Sequence, residues 1–391
     1  MRNTTLSEVK SFESYAKDIF YKLHENPELG CKEYQTQALI LKELKQLGIE
    51  ATPIADTGVL GIIRGEKPGK TIAFRADMDA LPIYEETDLS YKSKNVGVMH
   101  ACGHDSHMAI LLGATKWFTS HKEELSGNIK LFFQPDEEYF GGAERMISEG
   151  CMENPTVDAI FFGHSSGVLP VGSISLRSGS VSAASNSFTV TFHGKGTHGA
   201  TPEKGNDVIV AACQTVTAVQ TIASRRICPT DSVVLTVGQI HAGAGCNILP
   251  ETATIRGTIR TLNAKTRELV KQEFHQIVSG IATAMGVEVD IEILDGYVAT
   301  INDEDMTELV RSAAEKVLGS ENVRAQLAPS MTSEDLGYFL EKVPGCYYNL
   351  GVANYEKGYI YPIHSPNYTV DPDALAYGIA LYIQIAKDFL K

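Results

Sequence analysis

Hydrophobic and polar positions along the chain repeat with two periods, one typical of helices and one typical of strands. Near the N-terminus, Phe12, Tyr15, Ile19 and Leu23 recur at helical spacing. Helical patterns cover residues 6–24, 34–47, 108–118 and 143–149. Short apolar runs that favour buried strands lie at 58–65, 70–76, 127–133 and 157–163. This alternation predicts an α/β fold in which helices cover a mixed, mostly parallel sheet.

The pattern changes near residue 185, where residues 187–195 alternate as in a strand with one exposed face. From there the predicted order is strand, helix, strand, strand, helix, strand, which is typical of ferredoxin-like units. The α/β pattern then resumes, with helices over 304–317, over 333–341 and from Asp373, and a strand over 346–352. We therefore predict one domain formed by residues 1–180 and 298–391, and an inserted ferredoxin-like α+β domain over residues 181–297.

Composition excludes several classes of protein. The chain has 391 residues, of which 43% are hydrophobic and 21% charged, as in an ordinary globular protein. Its longest apolar run, residues 374–383, is too short to cross a bilayer, and the N-terminus lacks the apolar core of a signal peptide. The net charge of −14 argues against nucleic acid or an anionic membrane surface as a partner. Seven scattered cysteines do not make a disulfide framework, which favours a reduced, cytoplasmic protein.

Side chains that can bind metal cluster at the ends of the predicted elements. In chain order they are Asp77, Asp79, Cys102, His104, Glu137, Glu138, His164 and His364. Cys102 and His104 precede a predicted helix, and the others follow predicted strands, at whose carboxyl ends open α/β sheets bind ligands. Thiolate, imidazole and carboxylate groups in one pocket suit one or two divalent metals. The intervals of 34, 60 and 260 residues from His104 to Glu138, His164 and His364 fit no structural zinc finger.

The same residues have other interpretations when each is taken alone. A histidine beside a strand, such as His164 or His364, is more often a hydrogen-bonded core residue than a ligand. Cys102 alone is most often a small buried hydrophobe. At a helix N-terminus it can also be a nucleophile paired with His104 or His107. The recurrence of such residues at the same end of successive strands favours the metal site.

Glu137 and Glu138 suggest a division of roles, because neighbouring residues of an extended segment point in opposite directions. One carboxylate can bind a metal while the other faces the substrate. A metal lowers the pKa of its bound water, and a nearby carboxylate can take that proton and deliver it to a leaving amine. The pair therefore suits hydrolysis of an amide.

Seven motifs, spread over nearly the whole chain, resemble the M20 metallopeptidase family. They are HENPELG (24–30), RADMDALPI (75–83), MHACGHDSHMAILLGA (99–114), FQPDEE (133–138), GKGTHGATP (194–202), NILPETATIRGTIR (247–260) and HSPNY (364–368). The resemblance is specifically to the branch of N-acyl-amino-acid amidohydrolases, which includes hippurate hydrolases and plant auxin-conjugate hydrolases.

The resemblance implies a centre of two divalent metal ions in each subunit, with a bridging thiolate. The implied ligands are Cys102, His104, Glu138, His164 and His364. Zinc or manganese is the expected metal, and cobalt or nickel also suits this mixed donor set. Glu137 is the implied general base and acid. We expect Asp77 and Asp79 to orient ligand histidines or backbone rather than to bind metal.

The resemblance also assigns the inserted domain to dimerisation, as a lid, and so implies a homodimer. His198 of the GKG-x-H motif would reach the active site of the neighbouring subunit and stabilise the oxyanion of the tetrahedral intermediate. Asn247 and Arg260 are candidates for holding the substrate carboxylate, since a guanidinium gives a two-point grip. Arg260 ends a predicted strand and can equally be an exposed charge.

The implied activity is that of a metal-dependent amidohydrolase, similar to an aminoacylase or hippurate hydrolase, that cleaves N-acyl-L-amino acids through metal-activated water. The alternatives are a dipeptidase or aminopeptidase with the same dinuclear site, and a metal-binding regulatory protein without turnover. A Cys102 nucleophile would instead act without metal.

Four residues depart from the family pattern beside the expected site. Tyr139 and Phe140 stand where relatives usually have small glycines, and Ser165 and Ser166 stand where relatives usually have an apolar residue. All five metal positions are kept, so these departures concern the acyl and amino-acid preference rather than the catalytic machinery.

Overall fold

The computed structural model describes residues 4–391, which divide into two compact units. The first unit contains the chain up to Gly179 together with Ile301–Leu327 and Tyr338–Lys391. The second contains Ser180–Thr300 and Ala328–Gly337. We call them the α/β unit and the inserted unit, and each has its own hydrophobic core.

An eight-stranded mixed sheet forms the centre of the α/β unit. In spatial order its strands are β1 (Glu50–Ile54), β2 (Gly58–Arg64), β4 (Ser126–Gln134), β3 (Lys67–Asp77), β5 (Ala159–Pro170), β16 (Gly345–Ala353), β6 (Ile174–Leu176) and β15 (Val323–Ala325). The four central strands, from β4 to β16, run parallel to one another. Their carboxyl ends therefore share one edge, and the predicted mixed, mostly parallel sheet is confirmed.

Helices surround this sheet because each carries an apolar face that the sheet or a neighbouring helix buries. They are α1 (Thr4–Glu25), α2 (Tyr34–Gln46), α3 (His104–Ser120), α4 (Gly142–Ser148), α7 (Glu304–Leu318) and α9 (Ala374–Phe389). Glycines allow α3 and α9 to pack closely: a Cβ at Gly113 would lie 2.5 Å from Cδ1 of Ile379, and one at Gly378 would lie 2.6 Å from Cδ1 of Ile110. This contact anchors α3, the helix that begins with His104.

The inserted unit is an antiparallel sheet covered by two helices. Its strands, in spatial order, are β10 (Val233–Ala242), β12 (Thr252–Thr261), β8 (Ala184–His193) and β13 (Glu288–Asp295). The helices α5 (Val208–Thr221) and α6 (Ala264–Met285) share the apolar core of this sheet. Sheet order and chain order are those of the predicted ferredoxin-like fold, which is confirmed. Short strands β9 (Thr197–His198) and β11 (Ile248–Leu249) pair with each other.

Several local features differ from the sequence-based expectations. Helix α3 begins at His104 rather than near residue 108, and β5 extends through His164 instead of ending before it. The helix predicted over 333–341 is reduced to α8 (Gly337–Leu340). Short strands β7 (Gly179–Ser182) and β14 (Thr300–Asn302) occupy the sequence positions at which the chain passes between units. Among residues 4–391, no helix is long and apolar enough to cross a membrane.

Segment Ala328–Gly337, placed by the sequence in the α/β domain, packs with the inserted unit. The N–H of Ser330 donates to the carbonyl of Val181 at 2.8 Å, and the N–H of Ala183 donates to the carbonyl of Thr332 at 2.8 Å. These backbone bonds join residues about 150 positions apart in sequence. No local hydrophobic pattern could have indicated them.

Candidate metal centre

Neighbouring parallel strands and one helix start carry the predicted metal ligands. Glu138 follows β4, His164 lies within β5, and His364 lies between β16 and α9. Cys102 and His104 flank Gly103, which precedes α3 and has a φ of 85°. A left-handed conformation that suits glycine therefore separates these two ligands by a sharp turn.

The structure brings all five predicted ligands into one cluster. Single donor atoms of Cys102, His104 and His164 lie within 4.8 Å of one another, and so do single donor atoms of Cys102, Glu138 and His364. Sγ of Cys102 lies 3.5 Å from Nε2 of His164, and Nε2 of His364 lies 3.2 Å from Oε1 of Glu138. The two trios share Cys102, which is the arrangement that a bridging thiolate requires.

Hydrogen bonds to carbonyl oxygens decide which ring nitrogen of two histidines faces the cluster. Nδ1 of His104 donates to the carbonyl of Asp79 at 2.8 Å, and Nδ1 of His164 donates to the carbonyl of Ser165 at 2.8 Å. A carbonyl oxygen can only accept, so in each neutral ring Nδ1 carries the hydrogen and Nε2 presents a lone pair.

Nε2 of His104 provides a test of whether a metal fits this cluster. It is a buried atom without a hydrogen-bond partner among the described residues, and it lies 3.9 Å from Oε1 of Glu138. A buried imidazole nitrogen without a hydrogen bond is costly unless another group coordinates it. Soft sulfur, imidazole nitrogen and carboxylate oxygen together form a donor set for a divalent transition metal. The residues therefore fit a divalent metal centre.

Asp79 holds the loop that carries both glutamates. Its Oδ1 accepts from the N–H of Glu137 and its Oδ2 from the N–H of Glu138, each at 3.0 Å. Through its own carbonyl Asp79 also orients His104. These contacts are the ones expected of a residue that orients ligands without binding metal.

Asp77 contacts two histidines of the first turn of α3. Its carboxylate accepts from Nδ1 of His107 at 2.6 Å and from Arg75 at 2.8 Å, and it lies 3.5 Å from Nε2 of His104. Burial alone would raise the pKa of Asp77, but Arg75, His104 and His107 hold it well below its ordinary value. Sequence reasoning considered His107 only as an alternative partner of a Cys102 nucleophile and left it out of the metal site; its position three residues after His104, on the same helix face, was the available signal.

The cluster is rich in negative charge for a buried site. Burial raises the pKa of Cys102 well above its ordinary value, and Glu138 and Glu137 raise it further. Burial lowers the pKa of His104, but Asp77 and other carboxylates outweigh this and raise it to about 10. A dication compensates these carboxylates and displaces the protons of its ligands. The raised pKa of Cys102 is also the opposite of what a metal-free cysteine nucleophile needs.

Glu137 lies beside the two trios. Its side chain is buried, and one of its carboxylate oxygens lies within 4.8 Å of donor atoms of His104 and Glu138. It is therefore close enough to exchange a proton with a molecule held at the cluster, which is the role predicted for it.

The three predicted site residues of the inserted unit do not form one group. His198 pairs with Ile248 across β9 and β11, and the N–H of Gly199 donates to the carbonyl of Asn247 at 2.7 Å. His198 and Asn247 are therefore neighbours, and both are exposed. Arg260 lies elsewhere in this unit, half-buried, with its guanidinium donating to the hydroxyl of Ser333.

The four residues that depart from the family pattern fall into two classes. Tyr139 and Phe140, directly after Glu138, have exposed fractions of 44% and 85%. Ser165 is buried and Ser166 is half-buried, both within β5. Exposed aromatic rings beside the cluster can contact a ligand, whereas the side chain of Ser165 contacts only the protein interior.

The chain is similar to known proteins over nearly its whole length. Residues 73–388 match the family described as Peptidase family M20/M25/M40. The chain is 41% identical to thermostable carboxypeptidase 2 of Saccharolobus solfataricus over 98% of this chain and 97% of that protein. It is 37% identical to the hippurate hydrolase of Campylobacter jejuni, over 99% of both chains.

The fold is also that of a solved relative. The crystal structure of a dinuclear metal-binding peptidase of the M20 family from Bacillus subtilis superimposes with a TM-score of 0.85 at 30% identity, covering 97% of this chain and 99% of that one. The recognition of the family from the seven motifs is thereby confirmed. The chain belongs to peptidase family M20/M25/M40 and is an enzyme that acts on amide bonds.

Proposed function

We propose that the chain is a metal-dependent amidohydrolase that cleaves N-acyl-L-amino acids into a carboxylate and a free amino acid. The observation that carries this proposal is the cluster of five donor side chains around the shared Cys102, with Glu137 beside it. The similarity to a hippurate hydrolase supports a substrate in which the acyl group is attached to the nitrogen of an amino acid.

The proposed centre holds two divalent ions in each subunit. Cys102, His104 and His164 would hold one ion, and Cys102, Glu138 and His364 the other. The mixed sulfur, nitrogen and oxygen donors suit zinc or manganese, and also cobalt or nickel. When bound, such ions supply Lewis acidity that makes water a nucleophile at neutral pH.

Glu137 is the proposed proton carrier. Its backbone N–H is held by Asp79, and its carboxylate lies beside the cluster. There it takes a proton from the attacking water and delivers it to the nitrogen of the leaving amino acid, so the C–N bond breaks to release a neutral amine. The same carboxylate serves both transfers and ends the cycle in its starting state.

A homodimer, with the inserted unit as lid and interface, is part of the proposal. Within the inserted unit, Arg260 pairs with Ser185 at one end of the β12–β8 ladder, and Thr252 pairs with His193 at the other, where the chain continues towards His198. The eight residue-to-residue steps of strand from Thr252 to Arg260 span about 27 Å. Arg260 and His198 of one chain are therefore too far apart to contact the same small substrate.

This separation supports a site in which some of the three residues come from the partner subunit. His198 of the partner subunit would stabilise the oxyanion, and Asn247 of the partner subunit, next to it, would contact the substrate carboxylate together with Arg260 of the first chain. The edge strand β10 exposes Val234 and Ile240 (37% and 48%). Apolar side chains on an unpaired sheet edge favour pairing with a second copy.

We place the protein in the reducing environment of the cytoplasm. Cys102 has to remain a thiolate to bind metal, and the cysteines of the described chain are all free.

Peptides are a second candidate substrate class, favoured by the 41% identity to a carboxypeptidase. A carboxypeptidase and an N-acyl-amino-acid hydrolase cut the same bond, namely the amide whose nitrogen belongs to an amino acid with a free carboxylate. A dipeptidase or aminopeptidase would instead require a free amino group on the other side of that bond. N-acetyl and free-amino forms of one dipeptide therefore distinguish these substrate classes.

The test is hydrolysis of a panel of N-acyl-amino acids and matched dipeptides by protein stripped with chelator and reloaded separately with Zn²⁺ and Mn²⁺. We expect activity on the N-acyl-amino acids that disappears on stripping and returns with metal. Cleavage of the free-amino dipeptides alone would favour the peptidase. Activity that survives complete metal removal, and is abolished by alkylation, would overturn the metal mechanism.

A further inference from the structure

Two buried hydroxyl groups close to the proposed ligands are hydrogen-bonded to each other. Ser165 is 2% exposed and Tyr368 is 1% exposed. The hydroxyl of Tyr368 donates to Oγ of Ser165 at 2.9 Å, and Oγ of Ser165 donates to the carbonyl of Cys102 at 3.0 Å. Because the carbonyl of Cys102 can only accept, Ser165 donates to it and uses its oxygen to accept from Tyr368.

The backbone of Ser165 contacts two of the histidines near the cluster. Its carbonyl accepts from Nδ1 of His164 at 2.8 Å, which turns Nε2 of that ring towards Cys102. Its N–H donates to Nε2 of His107 at 2.8 Å. Every polar group of Ser165 is therefore engaged with a segment that contains a proposed ligand or adjoins one.

The hydroxyl pair also fills the space above the turn between Cys102 and His104. A Cβ at Gly103 would collide with Oγ of Ser165 and would lie 2.9 Å from the hydroxyl of Tyr368. The turn at Gly103 therefore packs directly against both hydroxyls. A shift of either hydroxyl would change the space available to the turn.

Tyr368 connects this arrangement to the fifth ligand. It lies four residues after His364, whose N–H donates to the carbonyl of Ala101 at 2.7 Å and whose φ is 65°. Outside glycine such a φ is costly and persists only when the surroundings hold it. The 101–104, 164–165 and 364–368 segments therefore meet at the Ser165–Tyr368 pair.

We propose that the Ser165–Tyr368 hydroxyl pair is a positioning device that sets the spacing of the Cys102, His164 and His364 segments and thereby the affinity of the metal centre. The inference rests on the metal centre proposed above. The sequence suggested that Ser165 affects substrate preference, because it lies beside the expected site. The proposal gives Ser165 a role in metal binding instead.

The test measures metal binding directly. Ser165→Ala, Tyr368→Phe and the double variant are stripped with chelator, and Co²⁺ is titrated in competition with a chromophoric chelator while thiolate-to-Co²⁺ absorption is followed. We expect each single variant to bind Co²⁺ about 10–100-fold more weakly than the parent. We expect the double variant to be no weaker than the weaker single variant, because both changes break the same connection.

Control variants remove hydroxyls elsewhere in the α/β unit: Ser173 is as buried as Ser165, and Tyr15 is half-buried. Ser173→Ala removes a buried hydroxyl that donates to the carbonyl of Pro170 at 2.7 Å. Tyr15→Phe removes a hydroxyl that contacts Glu43 at 3.0 Å. Both controls should bind Co²⁺ as the parent does. Tyr368→Phe keeps the ring and loses one oxygen, and thermal unfolding of the metal-free forms verifies that it folds.

The outcomes separate this inference from the proposed function. Co²⁺ affinities of both single variants within twofold of the parent would overturn the positioning role, whatever the parent hydrolyses. An increased KM with unchanged Co²⁺ binding would also overturn it, in favour of a substrate contact. Weakened binding in a protein that hydrolyses no N-acyl-amino acid would support the positioning role and reject the proposed substrate class.

Discussion

Glu137 and Glu138 are neighbours in the chain, and yet they face different chemistry. A donor atom of Glu138 lies within 4.8 Å of those of Cys102 and His364, whereas Glu137 lies beside this trio. Asp79 accepts from both of their N–H groups, so the backbone of the pair is held. One carboxylate oxygen of each glutamate lies within 4.8 Å of the other and of a ring nitrogen of His104. At the residue scale, one loop supplies a proposed ligand and a proposed proton carrier.

Glu137→Gln should abolish turnover without removing the metal. The amide keeps the size of the side chain but cannot take a proton from water, so kcat should fall at least about 10²–10⁴-fold. Metal content, measured by elemental analysis of the loaded protein, should stay at the parental value. Glu123→Gln, an exposed change in the same unit, should leave kcat unaltered. A Glu137→Gln enzyme with near-parental kcat would remove the proton-carrier role.

His24 should make stability depend on pH. Its Nδ1 lies 2.6 Å from Asp105 and its Nε2 lies 3.2 Å from Glu85. Burial lowers the pKa of His24, but these two carboxylates outweigh this and raise it from 6.5 to about 9. Because the folded protein holds the proton more tightly, the stabilisation is complete below pH 6.5 and is lost as pH rises through about 9.

The measurement is urea unfolding of the parent and of His24→Gln between pH 6 and pH 10. The difference in unfolding free energy between them should shrink by up to about 3 kcal/mol as pH rises across this range. A difference that stays constant with pH would show that His24 is not charged in the folded protein.

At the scale of elements, the start of a helix determines where the side chains near it lie. Helix α3 begins at His104 directly after the left-handed Gly103, so two proposed ligands depend on how that helix starts. Helix α7 starts differently, with Asp303 as N-cap, whose carboxylate accepts from the N–H of Met306 at 3.0 Å. This cap stabilises an element that packs on α9 and carries none of the proposed ligands.

Asp303→Ala should destabilise the α/β unit and leave the chemistry unchanged. Loss of an N-cap carboxylate costs about 0.5–2 kcal/mol, because a helix N–H loses its partner. Urea unfolding should show this decrease, and kcat at 25 °C should match the parent. Glu308→Ala removes an exposed carboxylate from the same helix and should change stability by less than about 0.5 kcal/mol. Equal effects of the two changes would argue against the cap.

At the scale of the whole molecule, the described chain divides into two compact units, each with its own hydrophobic core. The five proposed ligands and Glu137 belong to the α/β unit, and His198, Asn247 and Arg260 belong to the inserted unit. The distance of about 27 Å along β12 separates Arg260 from the end that leads to His198. This separation is the basis of the proposal that a partner chain supplies His198.

Mixed dimers test this proposal. Glu137→Gln and His198→Ala chains, each with its own affinity tag, should be nearly inactive alone. A dimer purified on both tags should regain about half of the parental activity, because one of its two sites combines an intact Glu137 with an intact His198. A dimer of two differently tagged double-variant chains is the inactive control. No recovery in the mixed dimer would show that His198 acts within its own chain.

Much of the fold was predictable from residue pattern, because helices and strands bury one face and the period of apolar residues reports that face. Helix α1 and the core strands β3, β4 and β16 follow this rule closely. Strand β1 contains Pro53 and only one buried side chain, so it has no such signal. Its pairing with β2 is a property of the folded sheet.

Residue types and their places at strand ends can be read directly from the chain. They indicate a shared site because parallel strands bring their carboxyl ends to one edge of the sheet. The element ends thus indicated eight candidate residues for a metal site, and the resemblance of seven motifs to the M20 family implied which five of them are ligands and that Glu137 is the base. The folded structure was needed to show the tautomers of His104 and His164, the sharing of Cys102 between two trios, the contacts of His107 and the Ser165–Tyr368 hydrogen bond. These depend on distances between segments far apart in sequence, which packing determines and local pattern does not encode.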